Sequence, residues 1–230
     1  TPTPTNTPVP LPPGCNGAQF EDQNGLVIMD MESVMGTGWI EESDLPNDPQ
    51  DPDYSGTYYR WAGGNSFQEP GNGLLNFEIK INTPGTYRIM WNGYKSDDGA
   101  YDAANDAWLR IDPDDIPDGN FFGRKEIEDD VYSYVYPRES AFTPRANGAT
   151  FDHWLKLFIN KGGEWWWQPK TSDHDGHDIY VRFDEPGYYT LQVSGRSNGF
   201  IIDRVSMYIE GVAFFSQATD VTRPETLCDG

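Results

Sequence analysis

A run of consecutive tryptophans at 165–167, between Glu164 and Gln168, stands out for the chemistry it could perform. A tryptophan ring offers a flat apolar face on which a sugar ring can stack, and nearby carboxylate and amide groups can bind the sugar hydroxyls. Neighbouring side chains of a strand point to opposite faces, so the three rings cannot all enter one core. We therefore take Trp165, Trp166 and Trp167 as candidate sugar contacts. The alternative is that two sheets and an insertion bury them.

A second aromatic group lies at 58–61, in the run TYYRWA. Strand alternation places Tyr59 and Trp61 on one face and Tyr58 on the other, so Tyr59 and Trp61 are further ligand candidates. The remaining tryptophans within strand patterns are expected to belong to the core: Trp39, Trp91 and Trp108.

The acidic segment at 171–178, TSDHDGHD, is similar in part to a calcium-binding loop. It lacks the acidic first position and the glutamate at position twelve that an EF-hand requires. A polar turn is the favoured interpretation of this segment. A second, weaker calcium site formed by Asp173, Asp175 and Asp178 is the alternative.

Catalytic signatures are missing from the sequence. It contains no nucleophile elbow, no zinc-protease motif, no phosphate-binding loop and no dinucleotide fingerprint. With 37 acidic residues in the chain, a pair of carboxylates carries no information, and three histidines offer few acid–base groups. We expect a protein that is not an enzyme.

The charge balance narrows the range of partners. The 230-residue chain has 16 basic and 37 acidic residues, a formal net charge of −21. A nucleic-acid binder needs a basic surface to displace counterions, and an anionic membrane would repel this chain. No apolar run approaches the roughly 20 residues of a membrane span. The acidity suits an extracellular protein and oxygen-rich calcium sites.

Two cysteines, Cys15 and Cys228, flank nearly the whole chain. A disulfide joining the two ends of one domain is the economical interpretation, and it implies an oxidising compartment; two unrelated thiols are the alternative. Residues 1–13 are a Thr/Pro tract that favours polyproline II, either a linker or a docking tail. The remainder, 14–230, is predicted to be a single domain.

Short β-rich runs separated by Pro, Gly, Asn and Asp predict an all-β fold. The predicted strands cover 25–33, 57–62, 74–81, 86–91, 107–111, 154–158, 179–183, 188–194 and 200–209. The runs at 179–183 and 188–194, joined by a Pro-Gly turn, are predicted to form a hairpin-like pair. Residues 112–148 are predicted to be long loop insertions at one end of the sheet, where function is often located.

Several of these patterns together resemble the carbohydrate-binding modules of the family 6, 35 and 36 type. The run VIMDMESV at 27–34 resembles their first strand, and FIIDRV at 200–205 resembles their last. The Pro-Gly turns before 86–91 and 188–194 also recur in these modules. The resemblance spans roughly 25–210 and implies a galactose-binding-like jelly-roll β-sandwich.

The resemblance also implies site residues. In these modules the acids of the first and last strands meet and hold a structural calcium ion, which by position assigns Asp30, Glu32 and Asp203 here. The alternative is that Asp30 and Glu32 face solvent. The loop before the last strand bears ligand contacts, which assigns Arg196 and Asn198.

Taken together, the sequence predicts an extracellular, non-catalytic module that binds a polysaccharide or glycan and holds Ca²⁺. The alternative is a structural or adhesive domain that decorates an extracellular filament or cell-surface assembly. In that case the Thr/Pro tail would dock on another module or subunit.

Overall fold

The computed structural model describes residues 14–34, 36–43, 56–95, 103–147, 150–159, 161–171 and 174–229. The Thr/Pro tract at 1–13 lies outside these residues. Its role as linker or docking tail, and the domain boundary after it, therefore stay predictions.

The regular secondary structure of the described residues is almost entirely β-strand. The strands are β1 (Phe20–Glu21), β2 (Leu26–Asp30), β3 (Trp39–Glu42), β4 (Tyr58–Trp61), β5 (Leu75–Ile81), β6 (Gly85–Tyr94), β7 (Asp106–Ile111), β8 (Phe121–Glu128), β9 (Val131–Val135), β10 (Thr150–Phe151), β11 (Trp154–Phe158), β12 (Trp165–Trp166), β13 (Asp178–Phe183), β14 (Gly187–Gly195) and β15 (Ile201–Ile209). A short 3-10 turn (Met31–Ser33) follows β2, and one helical turn, α1 (Phe215–Ala218), follows β15.

Two sheets form a sandwich of the jelly-roll type, as predicted. The first has the order β1-β5-β14-β7-β11-β10, and the second has the order β3-β4-β15-β6-β13-β8-β9. In the second sheet β12 also pairs with β6, and β2 pairs with β15. Pairing is antiparallel except between β1 and β5.

Period-two alternation explains how the strands build one core between the sheets. In β5 the residues Leu75, Phe77, Ile79 and Ile81 are buried, whereas those between them are more exposed. The same cluster contains Ile179, Val181 and Phe183 from β13, in the opposite sheet. Alternate side chains therefore meet across the sandwich, as expected for strands with one buried face.

The predicted hairpin of 179–183 and 188–194 is wrong. These segments are β13 and β14, and they lie in different sheets: β13 pairs with β6 and β8, and β14 pairs with β5 and β7. The Pro-Gly turn at 84–85 likewise connects β5 of the first sheet to β6 of the second. Both turns carry the chain across the sandwich.

The insertion at 112–148 is not wholly loop. Within it, β8 and β9 form an antiparallel hairpin that extends the second sheet beyond β13.

The two ends of the described chain are joined by the predicted Cys15–Cys228 disulfide, whose Cα atoms lie 5.8 Å apart. No helix in the described part of the chain is long and apolar enough to cross a membrane.

Candidate functional site

Three loops between strands converge on a cavity of about 320 Å³ at one end of the sandwich. They are the connections β4–β5, β6–β7 and β14–β15. We call this cavity the loop site. Its lining residues are Asn65, Phe67, Ala103, Ala104, Ser197 and Asn198.

Phe67 contributes the aromatic ring of the loop site, and 47% of the residue is exposed. The guanidinium carbon of Arg196 lies 4.9 Å from the centre of the Phe67 ring and 5.0 Å from that of Trp108. Trp108 is fully buried. Arg196 is therefore sandwiched between an exposed ring and a core ring, an arrangement that holds Phe67 in position.

A buried carboxylate fixes Arg196 in turn. The Asp106 side chain accepts hydrogen bonds from Arg196 Nη1 and from the hydroxyl of Ser197. Lys156 Nζ lies 3.9 Å from Asp106 Oδ2. Because Asp106 is 4% exposed, these cations and the hydroxyl compensate a charge that would otherwise be costly to bury.

Hydrogen bonds from backbone and side-chain groups hold the Phe67 loop to the sandwich. Trp108 Nε1 donates to the Ser66 carbonyl at 2.9 Å, and Ser66 N donates to the Arg196 carbonyl at 2.7 Å. Asn72 Nδ2 donates to the hydroxyl of Ser66 at 3.2 Å and to the Glu69 carbonyl at 3.0 Å. Phe67 therefore lies in a loop that these hydrogen bonds anchor to the sandwich.

Two exposed asparagines supply amide groups beside the ring. The Asn198 backbone N donates to Asn65 Oδ1 at 3.0 Å, which ties the two loops together. Gly199 has a φ of +89°, and a Cβ placed there would lie 3.1 Å from the Cβ of Ala104. Glycine therefore provides both the left-handed turn and the close approach of the third loop.

Arg196 and Asn198, predicted as ligand contacts, are both at the loop site. Asn198 lines it directly, whereas Arg196 supports Phe67 from beneath and is half-buried.

The three consecutive tryptophans are divided among three apolar clusters. Trp165 is 7% exposed and contacts Tyr58 and Tyr94 edge-on. Trp167 is 4% exposed and belongs to a separate cluster with Ile28. Neither Trp165 nor Trp167 presents a ring face to solvent. Trp166 packs partly on the main core, and Lys161 Nζ lies 4.6 Å from its ring centre.

Trp61 is a core residue, contrary to its assignment as a ligand contact. Its indole ring lies in a slot whose walls are glycines: an added Cβ would lie 2.2 Å from the ring at Gly63, 2.1 Å at Gly73 and 2.2 Å at Gly195. Tyr59 is partly exposed, and its hydroxyl donates to Glu41 at 3.1 Å. Burial and this hydrogen bond raise the pKa of Tyr59 to about 12.

The predicted calcium residues Asp30, Glu32 and Asp203 are not assembled into a metal site. β2 ends at Asp30, and the chain turns through a 3-10 segment in which Met31 is buried and Glu32 is exposed. The side chains at 30 and 32 consequently do not share a strand face. In the described residues no three His, Cys, Asp or Glu side chains form a group able to hold a metal ion.

A guanidinium group stands beside Asp30 instead. Arg204 Nε donates to Asp30 Oδ1, and Arg204 Nη1 donates to the carbonyls of Asp220 at 3.2 Å and Arg223 at 2.9 Å. Burial raises the pKa of Asp30 although Arg204 acts in the opposite direction, and burial also raises the pKa of Glu32. The positive charge beside Asp30 is therefore supplied by the Arg204 guanidinium.

The weaker second calcium site is not assembled among the described residues either. Asp175 pairs with Lys125 at 3.2 Å, and Asp178 pairs with Arg88 at 2.8 Å and with Lys170. Asp173 lies outside the described residues, so its part in ion binding stays a prediction.

Phe67 and Asn65 line the loop site but are not among the ligand contacts predicted from the sequence. Both lie in the run AGGNSFQEPGNG at 62–73, where Phe67 is the single aromatic residue. An aromatic residue isolated among turn-forming residues has no strand face to fill. That was the available signal.

No protein-family model matches the chain, and no curated protein matches its sequence. Among solved structures, similarity is found to a Podospora anserina GH26-CBM35 β-(1,4)-mannanase, with a TM-score of 0.44 and 12% identity over 81% of this chain and 28% of that one. The mosquito-larvicidal Cry4Aa toxin of Bacillus thuringiensis gives a TM-score of 0.40 and 12% identity over 80% of this chain and 23% of that one. The VIP36 exoplasmic/lumenal domain in its Ca²⁺/Man₂-bound form gives a TM-score of 0.25 and 14% identity over 84% of this chain and 90% of that one. The chain spans less than a third of the first two proteins.

Proposed function

We propose that this chain is an extracellular, non-catalytic carbohydrate-binding module whose ligand occupies the loop site. The observation that carries the proposal is the exposed ring of Phe67, held in a cavity by Arg196 and flanked by the amides of Asn65 and Asn198. A sugar ring combines apolar C–H faces with hydroxyls that both donate and accept. An aromatic ring with adjacent amides matches both properties.

The lining of the loop site favours a neutral sugar. The six described residues that line it are uncharged, and the Asp106 carboxylate is already bound to Arg196 and Ser197. The net charge of −21 would also repel acidic polysaccharides. The described lining residues offer amide, hydroxyl and apolar groups, which are suited to binding a sugar.

The disulfide supports an extracellular location. Disulfides persist in oxidising compartments, and the Cys15–Cys228 bond uses both cysteines of the chain. Calcium is not part of this proposal, because Arg204 lies beside Asp30 at the predicted site.

The decisive experiment is isothermal titration calorimetry of the wild type, Phe67→Ala and Phe67→Trp against a panel of neutral soluble polysaccharides. We expect saturable heat for at least one glycan, an affinity at least about tenfold weaker in Phe67→Ala, and recovery in Phe67→Trp. The matched control is Phe214→Ala, since Phe214 is 67% exposed and does not line the loop site.

The outcomes separate cleanly. Equal loss in Phe67→Ala and Phe214→Ala would show a general effect of removing surface phenylalanine and overturn the assignment of the site. Absence of heat with every glycan, from a protein that unfolds cooperatively, would overturn the function itself.

A further inference from the structure

A second aromatic surface lies on the outer face of the β8–β9–β13 part of the second sheet, on the residues added by the insertion. It lines a cavity of about 390 Å³, a size typical of small-molecule sites. We call it the outer groove. Its principal lining residues are Phe122, Tyr134, Tyr136, Phe142, Arg124 and Arg182.

Strand alternation explains why these rings are outside the core. In β8, Phe121 belongs to the core, so Phe122 points to the opposite face. In β9, Val135 is buried, whereas Tyr134 is 39% exposed. In β13 the residue opposite Phe122 is Tyr180, and the two rings stack with an interplanar angle of 13° and 5.9 Å between centres. Aromatic residues thus occupy positions on the outer face of the hairpin, where polar residues would be expected.

The two arginines of the outer groove are already paired with carboxylates. The Arg124 guanidinium carbon lies 3.9 Å from the Tyr180 ring centre, and Arg124 Nη2 pairs with Glu210. Arg182 Nε lies 2.8 Å from Asp184 Oδ1. Because each of these two guanidinium groups is already paired with a carboxylate, the groove does not require an anionic ligand.

An ordered loop supplies the exposed ring of Phe142. Tyr136 N donates to the Pro144 carbonyl at 3.0 Å, and Ala146 N donates to the Tyr136 carbonyl at 2.8 Å, which closes the neck of the loop. The Phe142 ring packs on Gly119, where a Cβ would lie 2.5 Å from it, and is centred 5.4 Å from Tyr136. Half of Phe142 stays exposed.

A second cavity, of about 410 Å³, adjoins the outer groove and shares Asp118 and Gly119 with it. Its lining adds the carboxylates of Asp114 and Asp152 to that of Asp118, beside His153 and apolar Ile and Pro side chains, and Asp152 is paired with Arg110 at 3.0 Å. Ionised carboxylates only accept hydrogen bonds, so they suit a ligand rich in hydroxyl donors.

We infer that the outer groove and this adjoining cavity form a second glycan-binding surface, which takes a neutral polysaccharide chain. Stacking rings, compensated arginines and adjoining carboxylate acceptors all fit consecutive sugar rings. The inference rests on the proposal that the chain binds glycans. It adds a second contact, so that one long polysaccharide or two neighbouring chains engage both surfaces and binding gains from avidity.

The test compares the groove variant Tyr134→Ala/Phe142→Ala with the control Ile127→Ala/Val131→Ala. The control residues lie on the same hairpin, are 62% and 49% exposed, and do not line the groove. Both pairs are placed in the wild-type and Phe67→Ala backgrounds. Each protein is titrated with the neutral glycan that the wild type binds, as a long chain and as a short oligosaccharide.

We expect the groove variant to weaken long-chain binding at least fivefold and to halve the stoichiometry for the oligosaccharide, with no effect of the control pair. The residual binding of Phe67→Ala should disappear when the groove variant is added. Unchanged affinity and stoichiometry in the groove variant, with loss in Phe67→Ala, would overturn the second surface and leave the proposed function standing. A groove variant that instead converts a dimer to a monomer in light scattering would show a self-association surface and overturn the inference.

Discussion

The side chain of Arg204 donates from Nε to Oδ1 of Asp30, and the two residues lie opposite each other in the antiparallel pairing of β15 with β2. Through Nη1 the same guanidinium binds the carbonyls of Asp220 and Arg223. Arg204 therefore joins the last strand, the first long strand and the C-terminal segment. Only 7% of its side chain is exposed, so these contacts operate largely without solvent screening.

Replacing Arg204 by Met should destabilise the fold. Removing one partner of a buried pair leaves an uncompensated charge and costs about 3–5 kcal/mol when burial is complete. Since 22% of the Asp30 side chain is exposed, we expect a loss of about 2–3 kcal/mol in the free energy of unfolding, measured in urea. Arg182→Met is the control, because that arginine is 55% exposed in its pair with Asp184 and should change stability by less than about 0.5 kcal/mol. Equal effects would contradict a special role for Arg204.

Removal of calcium should leave the melting temperature unchanged. The positive charge beside Asp30 is supplied by Arg204, and this contact joins β15 to β2. We expect thermal unfolding in EDTA and in millimolar calcium to agree within about 1 °C. A fall of several degrees after chelation would demonstrate a stabilising ion and restore the calcium prediction.

The strands were the readily predictable part of this fold. Alternation in 74–81 reports a buried face directly, and β5 follows it closely. Pairing is set by long-range contacts, so sequence alone did not show that β13 and β14 part into different sheets. The end of β2 at Asp30, which separates it from Glu32, depends on Met31 turning into the core.

The loop site was harder to predict than the strands. Trp61 is buried because its ring fits against glycines that lie between Gly38 and Gly195 in the sequence and meet only in the folded chain. Nothing in the local sequence distinguishes this core tryptophan from an exposed one. Phe67, by contrast, is exposed because its loop is held at Ser66 by Trp108, a contact between residues 42 positions apart.

Truncating the buried tryptophans should unfold the protein without selectively removing a binding site. Trp165→Ala and Trp167→Ala each empty a large volume in an apolar cluster, for which we expect about 3–5 kcal/mol of destabilisation. Trp166→Ala should cost less, since that ring is only partly buried. Urea unfolding gives the order. If Trp166→Ala abolishes glycan binding while leaving stability intact, the ligand site lies at that ring and not at the loop site.

Substituting Arg196 by Lys tests how Phe67 is supported. Lysine keeps a positive charge near Asp106 but lacks the planar group that lies between the rings of Phe67 and Trp108. We expect glycan affinity to fall about three- to tenfold, as the ring loses its backing, with a smaller change in unfolding free energy than in Arg196→Ala. Calorimetric titration and urea unfolding measure the two effects. An affinity equal to that of the wild type would show that the charge alone is sufficient.

Removing the disulfide should lower stability while preserving the native fold. Cys15 and Cys228 are 213 positions apart, and closing so long a loop restricts the unfolded chain strongly, so Cys15→Ser/Cys228→Ser should lose about 2–5 kcal/mol. The folded ends keep other contacts: Cys228 N donates to the Gln19 carbonyl at 2.9 Å and Glu21 N to that of Thr226 at 2.8 Å. Circular dichroism should therefore match the wild type. Reductant should shift the urea midpoint of the wild type and leave that of the double-serine variant unchanged. A shift in both would assign the effect of reductant to something other than this bond.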